Sequence, residues 1–394
     1  MRIVVTGYIG QYAFGGVAWD YLHYLFGFRA LGHDVWYLED TGTWSYNPLE
    51  EGSSADCSHN LAYLRQVMET FDLGDRWIYR NAADGVYHGV AAKSADTLLV
   101  EADALVNVSG SCWLRDVTAH IPLKIFVDTD PMFNHVAFAN RSSKYTDQLL
   151  NHTRHYTCGL HVGLPDCKVP TGPIHWLPTM QPVSLPHWQI DAGTIRPSDA
   201  WTTVMNWISY ADAEFQGKLY GQKNIEFLKC ISLPNLSPEK FIIAMGQGPG
   251  RTRPTAQLIK NGWSIVEPHE ALPDFRAYRS FLMGSKGEWS VAKHGYVAAK
   301  TGWFSYRTSS YLASGRPAVV QDTGWTNHLP EGEGLLSFNT VEEASEKIRQ
   351  VCEDYDRHSK AASQFAREHL DPRKICLQLL EPKPSKTGIV KIFS

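Results

Sequence analysis

The chain predicts two α/β lobes, each a doubly wound parallel sheet with flanking helices, facing one another across a cleft. Three observations carry this expectation. The chain has 394 residues, and single cores stop growing near about 250–300 residues. Its first forty residues read as strand, glycine-rich turn, helix and strand, the opening of a doubly wound sheet. A second, separate α/β pattern begins at Trp201.

In the first pattern, Ile3-Val4-Val5 is a β-branched run suited to a buried parallel strand. A loop carrying Gly7, Gly10, Gly15 and Gly16 follows, then a helix expected over 17–31, stopped by Gly32. Asp34 to Leu38 is the second strand, ending at Glu39-Asp40. A helix is expected over 60–71, and strands over 97–100, 104–108 and 124–128. The stretch 164–197 is rich in Pro, Gly and Trp, and its second half reads as a linker. Beyond it, strands are expected over 202–207, 241–245, 262–266, 290–292 and 317–321. Helices are expected over 224–228, 278–283 and 308–314, with amphipathic surface helices over 341–353 and 359–370. The resulting division is a first domain over 1–190, a second over 200–375, and a tail over 376–394 that packs back on the first.

Composition narrows the function classes. Hydrophobic residues make up 43% and charged residues 20%, a globular composition. The net charge of −4 argues against a protein built mainly to neutralise phosphate backbones, although a local basic groove depends on clustering. Seven widely spaced cysteines without a CxxC fit reduced thiols and offer no zinc site. No apolar run approaches the ~18 residues of a membrane helix, so no integral membrane association is expected. Met1 leads directly into a strand without a signal-peptide pattern, and a cytoplasmic location is expected. The 13 Trp suit either large cores or stacking on a sugar, an aromatic group or a base; Trp19, Tyr46, Trp113 and Trp176 are the stacking candidates.

The segment 302–324 is the most informative. It sets a polar turn at the start of a helix, where free N–H groups and the positive end of the helix dipole suit a diphosphate. Arg307 adds charge-assisted hydrogen bonds, and Ser305 and Thr308 are good N-caps. The helix ends in Ala313-Ser314-Gly315-Arg316-Pro317-Ala318-Val319-Val320, followed by a polar turn. This resembles the donor lobe of GT-B glycosyltransferases. Phe14-Gly15-Gly16-Val17, a helix, and Leu31-Gly32-His33-Asp34-Val35 are similar to the first lobe of the same superfamily.

The resemblance implies two Rossmann-like domains and a hexose transferred from a nucleoside-diphosphate sugar, of the UDP-glucose type, to an acceptor hydroxyl. Gly15 and Gly16 would let backbone amides approach the donor. Ser305, Arg307, Thr308 and Ser309 would hold its diphosphate, with Lys223 as the basic residue and Arg251 or Arg253 as rivals. Gln321, Asp322, Thr323 and Gly324 would meet the transferred sugar, and Glu333 the ribose. The acidic element that common retaining members carry near 302–305 is missing, and Glu288 is its nearest substitute. Lys293 and His294 lie beside these elements, Lys293 suited to neutralising phosphate.

Asp128-Thr129-Asp130 ends a first-lobe strand. Two carboxylates so spaced suit Mg²⁺ or Mn²⁺, general-base work on an acceptor hydroxyl, or simply a loop or helix cap. His135 is a second base candidate. Because the resembling enzymes stabilise the leaving diphosphate with a helix dipole and basic residues, no metal and no further cofactor are expected. The acceptor stays open between a small molecule, a glycan and modified nucleic acid. Two rival readings stand beside this one. One is an NAD(P)-dependent oxidoreductase with Glu39 or Asp40 on a ribose, although a true G-x-G-x-x-G is missing. The other is a non-catalytic sugar- or nucleotide-binding protein.

Overall fold

The computed structural model describes residues 1–47, 52–140, 143–190, 197–248 and 250–381. Eight strands build the first sheet: β1 (Arg2–Thr6), β2 (Asp34–Glu39), β3 (Trp77–Arg80), β4 (Tyr87–His88), β5 (Ala104–Val108), β6 (Leu123–Asp128), β7 (Arg154–Thr157) and β8 (Trp176–Pro178). Their order is β8-β7-β6-β5-β1-β2-β3-β4, parallel throughout except for β3 with β4. Six strands build the second: β9 (Ala200–Asn206), β10 (Lys240–Gly246), β11 (Ser264–Val266), β12 (Gly287–Ser290), β13 (Ala318–Gln321) and β14 (Leu335–Phe338). Their order is β11-β10-β9-β12-β13-β14, all parallel.

In each sheet the chain starts at the centre, winds out to one side, and returns to wind out to the other. The order therefore reverses between β1 and β5 in the first sheet, and between β9 and β12 in the second. Ligands of open α/β sheets bind outside the carboxyl ends of the strands at such a reversal. The carboxyl ends of β9 and β12, at Asn206 and Ser290, thus mark where the second lobe is built to hold something.

The helices that frame the lobe junction are α1 (Gly15–Ala30), α2 (Lys223–Lys229), α3 (Phe275–Gly284), α4 (His294–Ala299), α5 (Tyr306–Ala313) and α6 (Pro372–Leu380). Trp19 of α1 donates from Nε1 to Phe275 O at 2.8 Å, and a single apolar cluster runs through α1, α3, α5 and α6. Helix α6 returns to the first lobe. Cys376 packs against Gly27, and the Gln378 carbonyl accepts from Tyr156 Oη at 2.9 Å. Residues 382–394, the rest of the expected tail, lie outside the described residues.

Several local expectations change. Residues 97–100 belong to a helix, Ala95–Val100, not a strand. Ala95, Leu98 and Leu99 are buried while Thr97 and Val100 are exposed, which is helical spacing rather than alternation. Strands β3, β4, β7, β8 and β14 were not legible, β8 lying inside the Pro-rich stretch. The strand expected at 290–292 is β12, shifted toward the N-terminus. Helix α1 starts at Gly15, so both glycines sit in its first turn.

Most tryptophans serve the cores. Trp19, Trp77, Trp188, Trp201, Trp263, Trp289 and Trp325 are fully buried, and the Trp263 and Trp289 rings sit 5.0 Å apart. Of the stacking candidates, Trp19 and Trp176 are buried core side chains. Among the described residues no helix is long and apolar enough to cross a membrane.

Candidate functional site

Three cationic side chains converge at the reversal point of the second lobe. Lys223 opens α2 after β9, Lys293 precedes α4 after β12, and Arg307 lies in the first turn of α5. Lys223 makes no hydrogen bond or ion pair with any described residue. Its ammonium is held well below the usual lysine range, first by burial and then by the charges of Arg307 and Lys293, with Glu288 and Asp130 opposing. A half-buried ammonium beside two other cations and without a partner among the described residues is costly, and an anion would relieve it.

Arg307 is more committed than expected. Its Nε lies 2.7 Å from Glu288 Oε1 and its Nη1 donates to Val204 O at 2.7 Å. Nη2 is buried without a protein partner, as is Glu288 Oε2. Direct grip on a diphosphate therefore rests on one nitrogen, and much of the residue is spent neutralising Glu288. Ser305 caps α5 as expected, accepting from Arg307 N at 3.2 Å. Thr308 and Ser309 are buried, and Ser309 Oγ donates inward to Gln181 O at 3.4 Å and is not presented to an open cleft.

Lys293 reaches across the junction. Its Nζ lies 2.9 Å from Asp130 Oδ1, and the hydroxyls of Tyr210 and Tyr296 also donate to that carboxylate. The ammonium sits 4.3 Å from the centre of the Tyr210 ring and 5.0 Å from that of Phe133, within cation–π range. Burial lowers the Lys293 pKa, and Asp130 opposes the shift. Asp130 thus faces the second lobe, although its oxygens are already occupied.

Asp128 and His135 depart from the expected catalytic role. Asp128 is wholly buried and accepts from Asn134 Nδ2 at 2.8 Å, from Thr157 Oγ1 at 2.7 Å and from Asp130 N at 3.1 Å. His135 Nε2 lies 3.1 Å from its Oδ2. Burial would raise the Asp128 pKa, but the bonds led by His135 outweigh it and lower it. His135 is itself buried, its Nδ1 3.2 Å from Pro170 O and its ring 4.3 Å from that of Trp176. Together they pin the turn that presents Asp130, and neither meets the cleft. Among the described residues no cluster of three or more His, Cys, Asp or Glu is arranged to hold a metal.

The remaining expected residues divide. Gln321 holds Glu226 through Nε2 and Ala292 N through Oε1, at 2.7 and 3.1 Å. His294 Nδ1 lies 2.7 Å from Glu226 Oε1. Bonds led by His294 outweigh burial and bring the Glu226 pKa down to about 2. These residues brace the loop that carries Lys293. Asp322 closes its own turn, accepting from Gly324 N at 2.8 Å and Thr326 Oγ1 at 3.0 Å, while Thr323 Oγ1 donates to Trp303 O at 2.7 Å. Arg251 is exposed in the loop after β10, and Arg253 is buried against Met245 O and Glu267.

Two expectations fail on position. Glu333 precedes β14 at the amino edge of the sheet, opposite the reversal point, and is exposed and paired with Arg357; it is no ribose ligand. Gly15 and Gly16 approach protein. A Cβ on Gly15 would stand 2.3 Å from Asp274 O, and one on Gly16 2.9 Å from the Tyr278 ring and 3.1 Å from Tyr306 Oη. The pair is needed so that α1 can close against α3 and α5.

Asp20 was missed. It lies one turn beyond Gly16 on the same face of α1 and makes no hydrogen bond with a described residue; its Oδ1 is buried and unpartnered. Burial raises its pKa to about 8, and its charge is felt by Tyr306 and Cys158. A signal was available: Asp20 is the sole Asp, Glu, Lys or Arg between Ile3 and Phe28. Tyr210 and Tyr296 carried no such signal.

With this geometry in place, solved structures offer comparison. An alpha-glucosyltransferase in complex with UDP and a 13-mer DNA containing a HMU base aligns at TM-score 0.58 and 12% identity, over 96% of this chain and 98% of that one. The fold is GT-B. AviGT4, a glycosyltransferase involved in avilamycin A biosynthesis, aligns at TM-score 0.55 and 11% identity over 96% and 95% of the two chains. Anabaena HepE in complex with UDP-glucose aligns at TM-score 0.55 and 10% identity over 96% and 98%. No family model and no curated relative matches the sequence.

Proposed function

We propose that this GT-B chain is a glycosyltransferase that moves a hexose from a UDP-sugar to an acceptor hydroxyl, with the second lobe holding the donor and the first the acceptor. The observation that carries the reading is the unpaired Lys223 ammonium beside Lys293 and Arg307 at the reversal point of the second sheet. Three converging cations suit a diphosphate and the negative charge that grows on it as the anomeric bond breaks. The structural neighbours crystallised with UDP or UDP-glucose support the choice of donor.

In this reading Lys223 and Lys293 contact the diphosphate, and Arg307 adds Nη2 while its Nε stays paired with the Glu288 carboxylate. Asp20, unpaired at the junction and basic enough at a pKa of about 8, takes the acceptor's proton. The dehydrogenase reading loses its ribose ligand. Both Glu39 oxygens are consumed by the loop, Gly10 N and Gln11 N donating to them along with Tyr37 Oη. Asp40 is gripped by Arg115 at 2.6 and 2.8 Å.

The test is calorimetric titration with UDP and UDP-glucose, followed by UDP release in the presence of acceptor mixtures. Binding that Lys223→Met removes supports the proposal. Undiminished UDP binding in that variant refutes the site, and tight NAD(P) binding would replace the function.

A further inference from the structure

Four Tyr, Phe or Trp side chains are strongly exposed among the described residues: Tyr12, Phe14, Trp44 and Tyr210. Tyr12 and Phe14 lie on the loop that follows β1 and Trp44 on the loop that follows β2, and Gln11 ties the two loops together. Tyr12 and Phe14 are each 40% exposed and Trp44 51%. Tyr46 links the first two, its ring 6.2 Å from Tyr12 and 5.9 Å from Phe14. The group adjoins the lobe junction, because Phe14 immediately precedes Gly15, which packs on Asp274 of the second lobe.

The platform is built rather than incidental. Gln11 Nε2 donates to Trp44 O at 2.7 Å, and Asn60 Nδ2 ties Gly10 O and Tyr46 O at 2.7 and 2.8 Å. Beneath it, the buried Glu39 accepts from Gly10 N at 2.8 Å. Aromatic rings held in advance lose little freedom on binding.

Its charge selects the ligand. Residues 7–19 and 41–47 contain no Asp, Glu, Lys or Arg. Arg2 and Arg29 are the only Lys or Arg in the first 64 residues. Both sit at the opposite edge of the sheet, Arg2 on Asp34 and Glu101 and Arg29 on the carbonyls of Phe71 and Asp72. Of the cations beyond, Arg115 is spent on Asp40, and Arg80 lies 3.9 Å from the same carboxylate. A polyanion gains its affinity from cations that displace its counterions, and the described residues of these two loops carry none. Flat apolar rings beside the exposed Thr43 instead match a pyranose, whose C–H face packs on aromatics while its hydroxyls reach outward.

We propose that the loops after β1 and β2 form the acceptor subsite and that the acceptor is a neutral carbohydrate stacked on Tyr12, Phe14 and Trp44. This rests on the transferase reading above. The experiment is saturation-transfer NMR on the full chain with UDP present, using maltose, cellobiose, lactose and a single-stranded 13-mer DNA as probes, on the unaltered protein and on Tyr12→Ala/Trp44→Ala. The expected result is transfer to the ring protons of at least one disaccharide, weakened at least tenfold in the double variant, with the UDP-induced thermal shift unchanged. Four outcomes would overturn the proposal: no disaccharide signal; a disaccharide signal that the double variant keeps; DNA binding in place of sugar binding; or a dimer in sedimentation that the double variant dissolves. Failure of the transferase reading is separately visible, because it would abolish the UDP-induced shift itself.

Discussion

Lys293 Nζ of the second lobe lies 2.9 Å from Asp130 Oδ1 of the first. The pair joins the two lobes at the point where the donor phosphate is proposed to sit, and the carboxylate occupies a cation that the phosphate would use. The two partners should therefore act on donor affinity with opposite signs. Asp130→Asn frees the ammonium and is expected to tighten UDP binding several-fold. Lys293→Met removes it and is expected to weaken binding about tenfold, the worth of roughly 1.4 kcal/mol. Calorimetry on both variants decides, and equal effects of one sign would count against the competition.

Lys223 sets stability against binding. Its unpaired ammonium is unfavourable in the empty protein, so Lys223→Met is expected to raise the melting temperature by a few degrees while weakening UDP binding by at least about tenfold. A variant that loses stability and keeps UDP affinity would show that the lysine is structural.

Arg307 behaves differently because of Glu288. Arg307→Met leaves the Glu288 carboxylate, wholly buried and 2.7 Å from Arg307 Nε in the native pair, without its counter-charge. Breaking a buried pair costs on the order of 3–5 kcal/mol. Urea unfolding should register that loss, and Arg307→Met combined with Glu288→Gln should recover much of it. A purely donor-binding Arg307 would show neither effect.

Asp20 gives a pH signature. Its folded-state pKa of about 8 lies above the ordinary 3.8, so between these values the folded chain holds the extra proton and stability falls as pH rises. Asp20→Asn should flatten that decline, gaining up to a few kcal/mol at pH 8, and should also lower turnover. In the unaltered enzyme kcat/KM should climb as pH approaches 8. Melting curves and rates from pH 5 to pH 9 test both, and a stable, fully active Asp20→Asn would remove the proton-accepting role.

Gly15 tests the lobe contact. A Cβ placed there stands 2.3 Å from Asp274 O, a distance that backbone cannot absorb without movement. Gly15→Ala is expected to cost about 1–3 kcal/mol and to enlarge the radius of gyration in small-angle scattering as α1 is pushed from α3. An unchanged scattering profile would mean that the two helices need not touch.

Residues whose role depends on neighbours in sequence were read well. Ile3-Val4-Val5 and Ala318-Val319-Val320 are buried strands because β-branched runs suit a sheet covered on both faces. Ser305 caps α5 because capping is settled within three residues. Residues 97–100 were misread because four apolar-rich positions fit either period, and Trp176-Leu177-Pro178 because edge strands tolerate proline.

By itself, then, the sequence determined two doubly wound sheets, the order of their main elements, and a cationic region drawn from Lys223, Lys293 and Arg307. The sheets and their order follow from local periodicity and turn chemistry, which act over a few residues, and the cationic region from the resemblance to GT-B enzymes. Only the tertiary structure decided which charges are free. Arg307 is spent on Glu288, Asp128 on His135, and Gly15 on Asp274, while Lys223 and Asp20 are left without partners among the described residues. Burial and pairing bring together groups far apart in the chain, and the free energy of a charge is set by what surrounds it.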